Sequence, residues 1–166
     1  MRQPWSTPLT ILFALAVLLF CVFCAPPAAA WVDPSTGSPS ASRVTRAPSI
    51  PAKNWMPGHR GVDLALSPGG DVRAAGDGMV AFVGVVAGVP SVSIEHDGGI
   101  RTTYLPVHAR VRAGEEVAEG QVVGTLGRSP DHEGLHWGAL TGPDAYINPL
   151  TLLAAPTIRL KPVGAE

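Results

Sequence analysis

Short apolar, β-branched runs separated by glycines fill the middle of the chain. The clearest are GMVAFVG (78–84), SVSIEH (91–96), IRTTYL (100–105), QVVGTL (121–126) and LHWGAL (135–140). Their length and composition are typical of strands. The DGG sequence at 97–99 predicts a hairpin turn between two of them. No long window shows a 3.6-residue period, so we expect at most a helical turn near Pro149–Leu153.

This pattern predicts an all-β fold, a compact antiparallel β-sandwich or hybrid domain over residues 58–153. The segment VRAGEEVAEGQVVGTLG (111–127) suits such hybrids, because its glycines allow tight corners between short strands. Lipoyl and biotinyl carrier domains have a similar texture, but a carrier needs a lysine at a hairpin tip. The only lysines, Lys53 and Lys161, lie outside the domain, which excludes a carrier.

The N-terminal residues have the features of an export signal. An apolar run from Leu9 to Cys24 is followed by small residues just before Trp31, so residues 1–30 are expected to be a signal peptide. An uncleaved membrane anchor is the alternative, although the run is short for a span of about 20 residues. Both cysteines lie inside the run. The mature protein is therefore expected to have neither disulfides nor thiolate metal ligands.

Composition separates the domain from its flanking segments. Residues 31–57 are rich in Pro, Ser, Thr and Ala and predict a flexible or polyproline-like linker, and residues 154–166 predict a loose C-terminal tail. Residues 59–153 contain six arginines, no lysine and eleven acidic residues, a formal net charge of −5 with histidine neutral. Such a surface repels nucleic acid, so nucleic-acid binding is excluded.

Candidate chemistry lies in two short motifs. HRGVDL (59–64) places His59 and Asp63 four residues apart, on one face of an extended segment. LHWGAL adds His136 from a separate strand. Two imidazoles and one carboxylate suit zinc with a fourth position open to water. For His136 alone, a core histidine with a backbone partner remains the alternative.

Several motifs in the same order resemble one known family. They are HRGVDL, VRAAGDGMVAFVG, VSIEHDGGIRTTY, VRAGEEVAEGQVVGTLG, LHWG and INPLTLL. Together they resemble the lysostaphin-type (LytM-like) zinc metalloendopeptidases of bacterial cell walls over nearly all of residues 59–153. The resemblance implies a groove over a zinc ion bound by His59, Asp63 and His136. It also implies hydrolysis of peptide bonds in peptidoglycan cross-bridges or stems.

Two family histidines are missing from this chain. The family pattern T-Y-x-H reads TYLP here, with Pro106 at the histidine position, and the family pattern H-x-H reads GLH, with Gly134 first. In the family these histidines act as general base and transition-state stabiliser. Each positioned acid or base is worth roughly 10²- to 10⁴-fold in rate. Weak or altered catalysis is therefore expected.

The other histidines offer possible replacements. His108 and His132 each lie two residues from a vacated position and, on extended backbone, share its face about 6.5 Å away. They are either shifted catalytic substitutes or exposed loop histidines. Glu133 is a weaker candidate base, because on a strand it would face away from His136. His96 matches a family position that is expected to have a structural role at a turn or strand end.

These observations lead to two functional hypotheses. The first is a secreted, cell-wall-associated zinc metalloendopeptidase-type domain that acts on peptidoglycan peptides with weak or altered catalysis. The alternative is a non-catalytic zinc-containing domain that binds peptidoglycan or regulates a partner wall hydrolase. Intact ligand positions favour the first, and Pro106 and Gly134 favour the second. Membrane contact is expected only through the N-terminal segment, if it is uncleaved.

Overall fold

The computed structural model describes residues 31–154. Their strands form two antiparallel sheets. The strands are β1 (Val44–Arg46), β2 (Val62–Leu64), β3 (Asp71–Arg73), β4 (Gly78–Val86), β5 (Val89–His96), β6 (Ile100–Leu105), β7 (Val107–Ala109), β8 (Glu116–Val117), β9 (Val122–Leu126), β10 (Leu135–Leu140) and β11 (Tyr146–Ile147). The larger sheet has the order β1-β2-β10-β6-β5-β4-β8, with β11 paired to β10, and the smaller has the order β3-β9-β7. The expected antiparallel all-β fold is confirmed.

The predicted strands and turns agree with the observed elements. The five apolar runs correspond to β4, β5, β6, β9 and β10. A 3₁₀ turn at Asp97–Gly99 joins β5 to β6, and His96 pairs with Ile100 across it. A second 3₁₀ turn spans Pro149–Leu152, where the Asn148 side chain accepts a hydrogen bond from the Leu150 amide at 3.0 Å.

The core lies between the sheets and is continuous. Side chains from both sheets are less than 2% exposed, including Val62, Leu64, Val72, Val80, Val92, Ile94, Tyr104, Val107, Val123, Leu135 and Trp137. Burying such side chains stabilises a fold by about 1.5–3 kcal/mol each relative to exposure, before the entropy cost of ordering the chain. An ordinary hydrophobic core therefore holds the domain.

Strand β10 is central to the position of the functional residues. It pairs with β2 on one side, where His136 lies opposite Asp63, and with β6 on the other, where His136 lies opposite Leu105. Strand β6 ends at Leu105, and after Pro106 the chain continues into β7 of the smaller sheet. The register of the β2–β10 pair thus places Asp63 and His136 side by side.

The first part of the segment predicted as a linker packs against the domain. Val32, Asp33, Pro34 and Ser35 are buried, and the Val32 amide donates to the Ala75 carbonyl at 2.8 Å. Farther along, β1 forms the edge of the larger sheet by pairing with β2. Proline and serine content does not prevent docking here, because backbone hydrogen bonds and a buried carboxylate anchor the segment.

The remaining predictions about the chain ends lie outside the described residues. These are the signal peptide over residues 1–30 and the tail, of which only Ala154 is described. Within residues 31–154, no helix is long and apolar enough to cross a membrane.

Candidate metal centre

Four donor side chains converge beside β2 and β10: His59, Asp63, His132 and His136. One donor atom of each lies within 4.8 Å of all the others. The side chain of Asp63 is 1% exposed, and those of His59, His132 and His136 are 5, 17 and 12% exposed. The three residues expected as ligands are therefore brought together, and a third histidine joins them.

Backbone pairing and one carbonyl orient the first three donors. Asp63 and His136 are directly opposite across the β2–β10 pair. His59 precedes β2 and is held by two backbone hydrogen bonds with Ser49, both 2.9 Å. Its Nδ1 lies 2.9 Å from the Ala47 carbonyl oxygen, which only accepts, so Nδ1 carries the proton. The lone pair of Nε2 is therefore directed towards Asp63, and such a hydrogen bond is typical of metal-binding histidines.

Gly61 makes room for the His136 ring. A Cβ at this position would lie 2.7 Å from His136 Cε1 and Nε2 and 2.6 Å from the Trp137 carbonyl oxygen. Contacts this short do not occur with real side chains, so close packing against the His136 ring explains the glycine at position 61 of HRGVDL. Gly138, on the same strand as His136, is less crowded, with its nearest atom, the Arg60 carbonyl oxygen, 3.4 Å away.

The electrostatics favour the protonation states that bind a cation. Burial opposes ionisation of Asp63, but hydrogen bonds from His136 and His132 and the nearby imidazoles outweigh it and hold the pKa of the carboxyl below its ordinary value. Burial lowers the pKa of His136, although its hydrogen bond to Asp63 acts in the opposite direction. An ionised carboxylate and a neutral imidazole are the forms that coordinate metal ions.

The spacing of the donors matches the size of a tetrahedral metal site. His59 Nε2 lies 3.0 Å from Asp63 Oδ1 and 3.0 Å from His136 Nδ1, and His136 Nδ1 lies 2.7 Å from Asp63 Oδ1. A tetrahedron with metal–ligand bonds of about 2.0–2.1 Å has edges of about 3.3 Å. The group is therefore suited to holding a metal ion.

His132 joins the group by a route that the sequence did not indicate. It lies in the loop before β10 and not on a strand, and Gly134, with φ +98°, turns the chain before β10 begins at Leu135. His132 Nδ1 lies 3.2 and 3.3 Å from the two oxygens of Asp63. The premise of a shift along a strand is wrong, yet the residue reaches the centre.

His108 is not part of the four-residue group. The chain changes sheet at Pro106, so His108 lies on β7, paired with Thr125, and its side chain is exposed. Its ring lies against Gly127, where a Cβ would be 3.1 Å from His108 Nε2. The assumption of continuous extended backbone through Pro106 therefore does not hold, and a catalytic role for His108 remains an untested prediction.

Glu133 and Thr45 lie at the edge of the centre. Glu133 is exposed and lies in the loop before β10 rather than on a strand. Its carbonyl oxygen is 2.7 Å from the Thr45 hydroxyl, which is also 3.1 Å from the Asp63 carbonyl oxygen. Thr45 was not a candidate from the sequence, since nothing in the segment 31–57 indicates that it reaches this loop.

His96 has the contacts of a structural residue at the end of β5. Its Nδ1 lies 2.7 Å from the Asp77 carbonyl oxygen and its Nε2 lies 2.7 Å from Thr102 Oγ1. The Trp31 ring packs against the imidazole with centroids 4.7 Å apart. Burial lowers the pKa of His96 despite the opposing effects of Asp77 and Asp97.

Comparisons with known proteins agree with this geometry. The family model "Peptidase family M23" matches residues 57–149. An uncharacterized protein of Mycobacterium tuberculosis, Rv2891, is 50% identical over 122 residues, which are 68% of this chain and 48% of that protein. The DD-carboxypeptidase/endopeptidase Mpg of Neisseria meningitidis is 34% identical over 105 residues, 61% of this chain and 24% of that protein. The chain thus spans about half the length of the first of these relatives and about a quarter of the second.

Solved structures show the same fold. Csd3 of Helicobacter pylori has a TM-score of 0.56 at 29% identity, covering 74% of this chain and 35% of that one. A zinc containing peptidase from Vibrio cholerae has a TM-score of 0.51 at 28% identity, covering 66% of this chain and 35% of that one. Since the family model also spans more than half of the sequence, this chain belongs to peptidase family M23.

Proposed function

We propose that this protein is exported and acts on the peptides of cell-wall peptidoglycan through one zinc ion, with weak hydrolysis. The observation that carries the proposal is the convergence of His59, Asp63 and His136 donor atoms at about 3 Å from one another. The family assignment and the similarity to the DD-carboxypeptidase/endopeptidase Mpg and to the zinc containing peptidase of Vibrio cholerae support the same substrate class and metal.

Zinc fits the donor set because nitrogen and carboxylate oxygen are among its common ligands. When bound, zinc lowers the pKa of a coordinated water and polarises a carbonyl group. In the chain itself, Asp63 supplies the negative charge, and the Ala47 carbonyl fixes the tautomer of His59. Gly61 leaves space for His136 to turn its Nδ1 towards the other donors.

Weak hydrolysis is proposed because the two acid–base positions of the family pattern carry no titratable side chain. Pro106 and Gly134 can neither accept nor donate a proton through a side chain. Each such group is worth roughly 10²- to 10⁴-fold in rate. Whatever turnover remains would depend on the metal and on other nearby groups.

Digestion of purified peptidoglycan tests this function. The assay measures newly released amino groups, with and without a chelator, for the wild type and for His136→Ala. We expect slow release by the wild type that both the chelator and the substitution abolish. Release that persists under both treatments would contradict a metal-dependent activity at this centre.

A second candidate function is binding of wall peptides without cleavage, or regulation of a partner wall hydrolase. The replacement of both acid–base positions by Pro106 and Gly134 favours it. Co-sedimentation with peptidoglycan in the same assay separates the two candidates. Binding with no release of amino groups would support this second function.

Export is proposed from the apolar run that ends before Trp31. Mass spectrometry of protein recovered outside the cell is expected to give a chain that begins at Trp31. Recovery in membranes of a chain that retains residues 1–30 would indicate an uncleaved anchor instead.

A further inference from the structure

His132 adds a fourth donor to the centre, beside His59, Asp63 and His136. His132 Nδ1 lies 3.2 Å from Asp63 Oδ1 and 3.3 Å from Oδ2. Its ring centroid is 4.4 Å from that of His136 and 6.1 Å from that of His59. The donor atoms of His132, His59, Asp63 and His136 all lie within 4.8 Å of one another, which places His132 in the same cluster of candidate ligands.

The loop that carries His132 is held against the centre. The Thr45 hydroxyl lies 2.7 Å from the Glu133 carbonyl oxygen, which links β1 to the residue after His132. At Gly134, φ is +98°, and a Cβ there would meet the Leu64 carbonyl oxygen. The glycine that stands in place of a family histidine therefore lets the loop pass close to β2.

We infer that His132 is a fourth protein ligand, which closes the metal centre in its resting state. The inference rests on the proposed metal site and deepens it. Catalytic zinc sites keep a position for water or substrate, whereas sites with four protein ligands are closed. In this protein, loop 129–134 must move before a substrate carbonyl or water can reach the metal. Closure also accounts for weak hydrolysis independently of Pro106 and Gly134.

The ligand role differs from that of a shifted general base. As a ligand, His132 turns the lone pair of Nδ1 towards the metal beside Asp63, whereas as a general base it would donate Nδ1–H to Asp63 and present the lone pair of Nε2 to the reacting group. As a ligand, the residue lowers access of small molecules to the metal and raises metal affinity. As a free base it does neither.

Cobalt(II) is a suitable probe because its visible spectrum reports changes in its ligands. The wild type, His132→Ala and His136→Ala are titrated with cobalt(II), and azide is then added to each cobalt-loaded protein. Asp131→Asn is the matched control, since it removes an exposed carboxylate from the same loop. Thr45→Val is a second variant that keeps all four donors and removes the hydroxyl that holds the loop.

The expected results follow from closure. His132→Ala binds cobalt(II) at least tenfold more weakly than the wild type, and its spectrum shifts with azide whereas that of the wild type does not. Asp131→Asn behaves as the wild type, and Thr45→Val shows an azide response between those of the wild type and His132→Ala.

Two results would overturn the inference in distinguishable ways. If the wild type and His132→Ala have equal cobalt affinity and equal azide response, while His136→Ala loses the metal, closure is wrong and the three-ligand site stands. If His136→Ala retains cobalt at wild-type affinity, both the proposed metal site and its closure by His132 are wrong.

Discussion

Gly134 stands where the family pattern has a histidine, and its backbone conformation also sets the path of the loop before β10. Its φ is +98°, and a Cβ would clash with the Leu64 carbonyl oxygen. A histidine introduced here to restore the family pattern would therefore strain the backbone before it could act on a substrate. Restoring catalysis by Pro106→His together with Gly134→His is not a clean experiment in this fold.

Gly134→Ala is expected to lower the free energy of unfolding by more than Gly69→Ala. Both glycines have left-handed φ, which costs an alanine about 1–2 kcal/mol, but a Cβ at Gly69 has no neighbour within 4 Å. The clash with Leu64 adds a further cost of about 1–3 kcal/mol, as for other overpacked sites. Urea denaturation of both variants measures the difference. Equal losses would show that the loop relaxes without cost.

Gly61→Ala is expected to weaken metal binding by displacing the His136 ring. The new Cβ would approach the ring to 2.7 Å and the Trp137 carbonyl oxygen to 2.6 Å. Gly138→Ala is the control, since its Cβ would lie 4.0 Å from His136 Nε2. Titration with zinc against a chromogenic chelator gives both affinities. A Gly61→Ala affinity no lower than that of Gly138→Ala would contradict the packing role.

His96 predicts a pH dependence of stability away from the metal centre. Burial holds its pKa in the folded protein below the ordinary histidine value of 6.5, against the opposing effects of Asp77 and Asp97. Between the folded and unfolded pKa values the unfolded chain binds the proton and the folded chain does not. Stability is therefore lost as the pH falls through 6.5, and the loss ends below the folded pKa.

Comparison with His96→Gln isolates this effect from the other titrating groups. With both proteins stripped of metal, the stability of the wild type relative to the variant is expected to be smaller at pH 5 than at pH 7. Thermal or urea unfolding at the two pH values provides the measurement. A difference that stays constant with pH would show that burial does not perturb His96.

At the scale of elements, the long strands were predictable and the short ones were not. β4, β5, β6, β9 and β10 each carry five or more residues with apolar or β-branched character, so their patterns are visible in the sequence. β1, β3, β7, β8 and β11 have two or three residues each. At that length no alternation can be recognised, and pairing with a neighbouring strand decides the conformation.

The N-terminal segment is the clearest case in which composition misled. Asp33 is fully buried and accepts hydrogen bonds from the Ser35 amide at 2.8 Å, the Ser35 hydroxyl at 2.6 Å and the Ser42 amide at 2.7 Å. From composition alone, a Pro- and Ser-rich segment is interpreted as a linker, because the residues that it packs against and hydrogen-bonds to are not visible in the sequence. One carboxylate that organises three donors is enough to fix a turn against the domain.

Asp33→Ala is therefore expected to destabilise the whole domain. Leaving buried donors without an acceptor costs about 1–3 kcal/mol, so the thermal midpoint should fall by several degrees. Ser40→Ala, in the same segment but outside this set of bonds, is the control. A thermal midpoint unchanged by Asp33→Ala would support the flexible linker that the composition predicts.

At the scale of the whole molecule, the centre joins parts of the chain that are far apart in sequence. The motif HRGVDL and the histidine of LHWGAL identified His59, Asp63 and His136, but their meeting depends on the β2–β10 register, which links residues 73 positions apart. The approach of His132 depends on a turn at Gly134 and on a hydroxyl from β1. Neither has a local sequence signal, so sequence alone identified the three candidate ligands and not the approach of His132.

Metal analysis of the purified protein tests the central claim most directly. After mild dialysis, the wild type is expected to retain close to one zinc ion per chain, because four donors converge within 4.8 Å. His136→Ala, which removes the donor closest to the Asp63 carboxylate, is expected to lose the ion, and His59→Ala and Asp63→Ala should behave in the same way. Zinc content that is unchanged in His136→Ala would contradict the account.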